Sequence, residues 1–354
     1  MSAPERTPGT VTVILTVLND RRVERTLQSL LEQRRRPDRI LVDDGSGPDG
    51  IVRPIVERWR ARDPRVEWLD APGTISESRN RALRVVSTEF VAFIDADEIA
   101  RPEWLGELLG PFDDPRIGFT GGPTPALPST CHGAGVRYYD GYLRRFYDVT
   151  ARAHPTSLPM GNSAWRTSVF DQLGLLDATL YPYASSEDQE MAVRASRAGW
   201  KGRYVPGAIV DHDFSELTSS SLLRKQSRYA TGGYLVWRRH ASTYEATGGR
   251  LAPYVLLPAL AVLGAILLAF PQLYWPAVGL LATGLGGLAV LALGLSIQGL
   301  RWERTYPGMR FRAFEILRRW ATLFGAFRGL IHYGWTGRRE VGSASTEPPR
   351  SGKP

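Results

Sequence analysis

Four apolar runs of strand composition, each followed by a stretch of helical spacing, constrain this 354-residue chain more than any other feature. The runs are Val11–Thr16, Ile40–Val42, Val66–Leu69 and Phe90–Ile94. The first intervening stretch opens at Asn19 and Asp20 and places Val23, Leu27, Leu30 and Leu31 on one face. The others cover 51–62, Ser76 to about Val86, and a segment opened by Pro102 and Trp104. Alternation of this kind predicts a parallel sheet wrapped by helices, an α/β class. Such sheets bind ligands outside the carboxyl ends of their strands. Two acidic clusters fall at such ends, Asp43-Asp44 and Asp95-Ala96-Asp97-Glu98. Carboxylates crowded at a strand tip repel one another and lose hydration, so a cation is expected to compensate them. Oxygen ligands of this type suit a hard divalent ion, Mg²⁺ or Mn²⁺, which also takes phosphate oxygens.

Beyond Pro111 the alternation stops. Residues 118–165 are rich in Gly, Pro and aromatics, and Ser186-Glu187-Asp188 opens an amphipathic helix with Ser185 or Ser186 as the expected cap. The net charge of +8 is almost entirely arginine, spread along the chain rather than gathered into a basic tract interleaved with aromatics, which argues against a nucleic-acid partner. The single cysteine, Cys131, excludes an internal disulfide and a multi-cysteine metal site.

From Leu251 to Leu300 no residue is charged. This span divides around Pro271–Pro276 into two runs, about 251–270 and 276–298, each of the length a bilayer requires. Arg238, Arg239 and Arg250 precede the pair, Arg301 and Arg304 follow it, and the turn between carries no charge, so both flanks are expected in the cytoplasm. Residues 311–335 then read as an amphipathic interfacial helix. Phe311, Phe314, Leu317, Trp320, Ala321, Phe324, Phe327 and Ile331 form one stripe, and Arg312, Glu315, Arg319 and Thr322 lie opposite.

In order, VILTVLN, LVDDGS, SRNRAL, FIDADE, SED and RKQSRY resemble the motifs of glycosyltransferase family 2 enzymes with the GT-A fold, over residues 10–240. With the hairpin placed just after them, the chain is similar to bacterial exopolysaccharide glucosyltransferases of the succinoglycan type. The resemblance implies a Rossmann-like, mostly parallel sheet, a nucleoside-diphosphate sugar donor and a divalent cation. It implies that Asp44, with Asp43 beside it, contacts the nucleobase under a loop carrying Leu18 and Asn19, with Arg79 near the base or ribose. Asp95 would hold ribose or metal, Asp97 the metal, with His212 as a further ligand, and Asp188 would be the catalytic base of an inverting transfer. Arg228 and Tyr229 stand where the family's Q-x-x-R-W motif has Arg and Trp, and Lys225 takes the Gln position. That departure, with only two spans, argues against chain-extending synthesis. Arg228 would steady the donor diphosphate, and Asn162, Trp165, Glu187, Lys225 and Tyr229 would line the acceptor side.

The expected organisation is a polar lead at 1–10 and a catalytic domain at 11–240, with a nucleotide-binding half at 11–117 and an acceptor half at 118–240. The membrane hairpin, the interfacial helix and a disordered tail at 336–354 follow. The expected setting is the inner membrane, multi-pass, with the catalytic domain and both termini cytoplasmic. The expected partners are the donor, membrane lipids and a polyprenyl-(pyro)phosphate-linked acceptor. The alternatives are transfer directly onto polyprenyl phosphate, and a non-catalytic scaffold that binds nucleotide or lipid.

Overall fold

The computed structural model describes residues 6–47, 50–152, 155–178, 186–240, 245–305 and 310–333. The expected cap Ser185 and the tail 336–354 lie outside them. In chain order the elements are β1 (Thr7–Val17), α1 (Val23–Leu31), β2 (Arg39–Asp44), α2 (Arg53–Arg60), β3 (Val66–Asp70), α3 (Ile75–Arg84) and β4 (Thr88–Asp95). There follow β5 (Glu98–Ala100), α4 (Trp104–Leu109), β6 (Ile117–Gly121), α5 (Gly133–Arg145), β7 (Ser163–Arg166) and α6 (Thr167–Leu173). The chain then forms α7 (Glu187–Arg197), β8 (Lys201–Tyr204), β9 (Val210–His212), α8 (Ser219–His240), α9 (Glu245–Leu267), α10 (Tyr274–Thr305) and α11 (Phe311–Tyr333).

The main sheet has the order β3-β2-β1-β4-β7-β6-β8. Strands β1 to β4 are parallel, β7 is antiparallel to both β4 and β6, and β8 is parallel to β6. Strand β1 begins at Thr7, whose Cα partner is Thr88, so the sheet takes in part of the expected polar lead. Side chains alternate across the sheet because strand periodicity is two. Val11, Val13 and Leu15 pack with Val23, Leu27 and Leu30 of α1, whereas Ile14 points to the opposite layer with Ala82 and Leu83 of α3. Covering both faces is what makes these strands continuously apolar, and each fully buried aliphatic side chain contributes about 1.5–3 kcal/mol.

The chain runs outward through β1, β2 and β3, then returns to the other side of β1 as β4. The strand ends on either side of that reversal form the crevice in which ligands bind. Register sets the acids level there. Thr16 of β1 faces Asp43 on one side and Asp95 on the other, and Val17 faces Asp44.

Helices α9 and α10 pack against each other. Among the described residues one segment, Pro271–Arg301, is long and apolar enough to cross a membrane, with mean hydropathy 2.1; the apolar part of α9, Leu256–Leu267, is shorter. Helix α11 lies along α8, and its faces are disposed as the periodicity implied: Glu315 and Thr322 are buried, whereas Leu317, Trp320, Phe324, Phe327 and Ile331 are exposed. Phe311, placed on the outward stripe by spacing alone, is instead buried against Tyr138.

Candidate active site

The site is built from strand ends and closed by the second half of the chain. Asp43 and Asp44, at the tip of β2, are both fully buried. Arg81 donates to Asp43 Oδ1, and Ser46 N–H donates to Asp44 Oδ1 at 2.9 Å. The second oxygen of each carboxylate is buried without a partner. An orphaned buried carboxylate oxygen is costly, so both are ready to accept from a ligand. Burial, only partly offset by Arg81, pushes the Asp43 carboxyl up to about 6. Beside them, Asn19 takes a left-handed backbone (φ 47°), and its N–H donates to Ser46 Oγ at 2.7 Å. This ties the loop after β1 to the loop after β2 and leaves Leu18 65 % exposed at the rim.

At the tip of β4, Asp95 and Asp97 are partly exposed and Glu98 is buried. The short antiparallel pair β5–β9 sets Glu98 opposite His212. It brings His212 Nε2 to 3.1 Å from Asp97 Oδ2 and Nδ1 to 3.7 Å from Glu98 Oε1. Burial, with the charges of Asp95 and Asp97, raises the Glu98 carboxyl well above its usual range. Burial also works to raise Asp97, but the charge and hydrogen bond of His212, helped by Lys225 and Arg22, hold it well below. Gly161 closes the floor, since a Cβ there would lie 2.6 Å from Asp95 Oδ2.

Asp97 and His212 offer an oxygen and a nitrogen to the same point, and the buried Glu98 beside them is crowded by the charges of Asp95 and Asp97. This donor set fits a divalent ion that keeps several waters and takes its remaining ligands from a phosphate. Among the described residues no group of three or more His, Cys, Asp or Glu forms a ready cage, so such an ion would need the substrate to complete its shell.

Arg79 is the link across the site. It is buried, donating through Nη2 to Asp95 Oδ1 at 2.7 Å and through Nη1 to Glu187 Oε1 at 2.9 Å. Its two Nη groups are thus taken by two acids, while its Nε is buried without a partner. Ser186 has φ 70° and makes no side-chain cap; its hydroxyl donates to Tyr229 O at 3.1 Å, joining the start of α7 to α8. Glu187 stands in the first turn of α7 and is at the same time the buried ion-pair partner of Arg79. Burial and the charge of Asp188 push its carboxyl up to about 7. Burial likewise raises Asp188, although Gln189 N–H donates to its Oδ1 at 2.7 Å. Lys225 on α8 sits 5.8 Å over the Tyr229 ring and acts electrostatically on Asp97, and Arg228 Nε is buried without a partner.

Two expected acceptor residues belong to the core. Asn162 is fully buried, accepting from Trp104 Nε1 at 2.8 Å and donating to Pro123 O and Ala208 O, both at 2.9 Å. Trp165 is also buried, stacked on Phe119 with ring centroids 4.6 Å apart. A pattern of small and aromatic residues reads alike for a pocket wall and a packed strand, and β7 turned out to be central.

Arg22 was missed. It pairs with Asp20 at 2.6 Å, donates to Asp213 O at 3.0 Å and reaches within 3.7 Å of Asp97 Oδ2. Arg81 was likewise not singled out, and Glu98 was marked only as a member of the acidic cluster after β4. Nothing local marks Arg22, because its partners at 97 and 213 arrive only through folding.

Two family models match the chain, "Glycosyl transferase family 2" over residues 12–148 and "Glycosyl transferase family group 2" over residues 90–297. A pre-mycofactocin glycosyltransferase of Mycobacterium tuberculosis is 29% identical over 263 residues, covering 70% of this chain and 52% of that protein. An N-acetylglucosaminyltransferase of Bradyrhizobium diazoefficiens is 25% identical over 308 residues, covering 78% and 58%. The chain thus spans about half the length of the curated relatives it matches. Among solved structures, a mannosyltransferase from Pyrobaculum calidifontis in complex with GDP-Man and Mn²⁺ superposes with a TM-score of 0.58 at 19% identity, covering 93% of this chain and 89% of that one. At that identity the likeness bears on the fold alone.

Proposed function

The chain belongs to glycosyltransferase family 2, and from that premise we propose that it transfers a sugar, with inversion, from a nucleoside-diphosphate sugar to a lipid-linked acceptor at the inner membrane. The observation that carries this reading is the Arg79 bridge. One guanidinium joins Asp95, on the donor side, to Glu187, the neighbour of Asp188 on the acceptor side.

The orphaned oxygens of Asp43 and Asp44, with Asn19 and Leu18 above them, would receive the base and ribose. Asp97 and His212, with Asp95 nearby, would hold the divalent ion, Mg²⁺ or Mn²⁺. When bound, such an ion supplies Lewis-acid stabilisation of the departing diphosphate. Lys225 and Arg228 add fixed positive charge for the same phosphates. Asp188 would take the proton of the acceptor hydroxyl as the new bond forms. Its raised affinity for a proton makes it a stronger base than an ordinary carboxylate. Attack from the Asp188 side, opposite the leaving diphosphate, inverts the anomeric centre. The long apolar helix α10, with α9 beside it as a second span and α11 on the surface, would hold this mouth at the cytoplasmic leaflet. The likeness to a pre-mycofactocin glycosyltransferase and to an N-acetylglucosaminyltransferase supports the reaction class.

Release of nucleoside diphosphate from a panel of nucleotide sugars, with and without chelator, tests the reading. Chelator-sensitive release that falls about 10²–10⁴-fold in Asp188→Asn supports it. Full activity of that variant together with indifference to chelator overturns it. The Lys225 cation near Asp97 favours one second reading, transfer directly onto a polyprenyl phosphate. There the acceptor is already an anion, no base is required, and Asp188→Asn is tolerated while chelator sensitivity remains.

A further inference from the structure

We propose that α11 rests in the plane of a lipid bilayer with its apolar side in the headgroup–acyl boundary, and that its polar side keys this seating to the helices of the candidate site. The proposal deepens the membrane-anchored reading and takes from it only that a bilayer is present.

The outward stripe Leu317, Trp320, Phe324, Phe327 and Ile331 recurs at intervals of three and four residues and is between 47 % and 68 % exposed. It runs about 21 Å along the helix at 1.5 Å per residue. Five charged residues (Arg312, Glu315, Arg318, Arg319 and Arg328) interrupt the same helix, so it is unsuited to crossing a membrane and suited to lying on one. Their disposition settles which side faces the protein. Glu315 is buried and accepts from the Tyr138 hydroxyl, from Arg318 Nη2 at 2.9 Å and from Arg319 Nε at 2.8 Å. The Arg318 guanidinium lies 4.4 Å over the Tyr142 ring on α5, and that of Arg319 lies 4.7 Å over Tyr254 on α9. Farther along, Gly325 lets the α11 and α8 backbones touch; a Cβ there would lie 2.1 Å from Ser227 O. The Thr231 hydroxyl donates to Gly325 O at 3.0 Å across the same seam.

Two observations select a bilayer as the occupant of the apolar side. Phe311, buried at the start of α11, packs 3.4 Å from where a Cβ of Gly299 on α10 would lie, so α11 begins against the one membrane-long helix among the described residues, whose Leu293, Ile297 and Leu300 are exposed nearby in sequence. Where the two helices meet, Arg301, Arg304, Arg310 and Arg312 are all exposed, and a cluster of arginines beside an apolar face complements anionic headgroups. Helix α8, gripped by α11, carries Lys225, Arg228 and Tyr229. A bilayer under α11 therefore holds those side chains at a set height above the lipid surface.

The native chain has one cysteine, so a Cys131→Ser background accepts single labels. Leu317→Cys, Phe324→Cys and Ile331→Cys would each carry an environment-sensitive fluorophore on the full chain, reconstituted in vesicles of phosphatidylethanolamine and phosphatidylglycerol. Arg34→Cys, at a position 77 % exposed beyond the end of α1, is the aqueous control. In-plane seating ~5–10 Å deep predicts that all three labels are quenched alike by lipids brominated near the headgroup, and are shielded from aqueous iodide relative to position 34. Three results overturn the proposal: a steady change of depth from 317 to 331, which means a crossing helix; iodide access equal to position 34; or lipid-independent protection with disulfide cross-linking at Phe324→Cys, which means a second copy covers the face. If Phe324→Cys lowers the melting temperature, the exposed Phe327→Cys replaces it. The readout requires no sugar transfer, so its failure and the failure of the transferase reading are distinguishable.

Discussion

Replacing Arg79 by Met keeps the volume of the side chain and removes the single cation shared by Asp95 and Glu187. Arg79 is 2 % exposed, and both its hydrogen bonds are to carboxylates. Removing one partner of a buried ion pair costs about 3–5 kcal/mol, because the charge left behind is neither solvated nor paired. For a domain of this size that is a fall in melting temperature on the order of 10 °C. The pH dependence is the sharper test. Even with Arg79 present, burial and Asp188 push the Glu187 carboxyl up to about 7 from its usual 4.5. A carboxyl raised on folding contributes its stability while protonated, fully below its unfolded value, and loses it as pH rises through the folded value, here worth roughly 3 kcal/mol. Without Arg79 the folded value climbs further, so Arg79→Met loses more stability between pH 5 and 8 than the parent does. Thermal unfolding of both proteins in detergent across that range measures it. The deficit of the variant is expected to be greatest at pH 8 and to narrow at pH 5, where Glu187 is protonated in both. Parallel curves separated by a constant offset would refute the assignment of Arg79 as counter-ion to Glu187.

Asp97→Asn is expected to abolish the extra thermal stabilisation that Mn²⁺ gives with a nucleoside diphosphate, while stabilisation by the nucleotide alone survives, since the ligand then binds only through the Asp43–Asp44 end. Equal Mn²⁺-dependent shifts in parent and variant would remove Asp97 from the metal site. Asn162→Leu is expected to orphan Trp104 Nε1 and Ala208 O, each at about 1–3 kcal/mol, and to leave Pro123 O only the bond from Val210 N–H at 3.4 Å, so the melting temperature falls steeply while the acceptor KM of the folded fraction stays unchanged. A raised KM with an unaltered melt would return Asn162 to the acceptor wall.

Much of the donor side was legible along the chain. The pattern of apolar runs located β1 to β4, and the acids that follow β2 and β4 are adjacent in sequence, so finding the strands also found Asp43, Asp44, Asp95 and Asp97. His212 was marked by its chemistry, although only the pairing of β5 with β9 shows how it meets Asp97. The acceptor side was less legible. Glu187 was legible as an acid at a helix start but not as the buried partner of Arg79, and Asn162 and Trp165 looked like pocket residues, because local composition carries no information on which neighbours will bury a side chain.

What the sequence determined by itself was whatever depends on periodicity and on near neighbours: an α/β sheet, acids at its carboxyl edge, a long apolar helix and a two-sided helix after it. Only the tertiary structure decided which charges meet. Arg79 reaches Glu187 across 108 residues, and Arg25 reaches the buried Asp213 carboxylate across 188. Such pairs form because burying a charge demands a counter-charge. The residue that supplies it is chosen by the packing of distant elements, which no local pattern encodes.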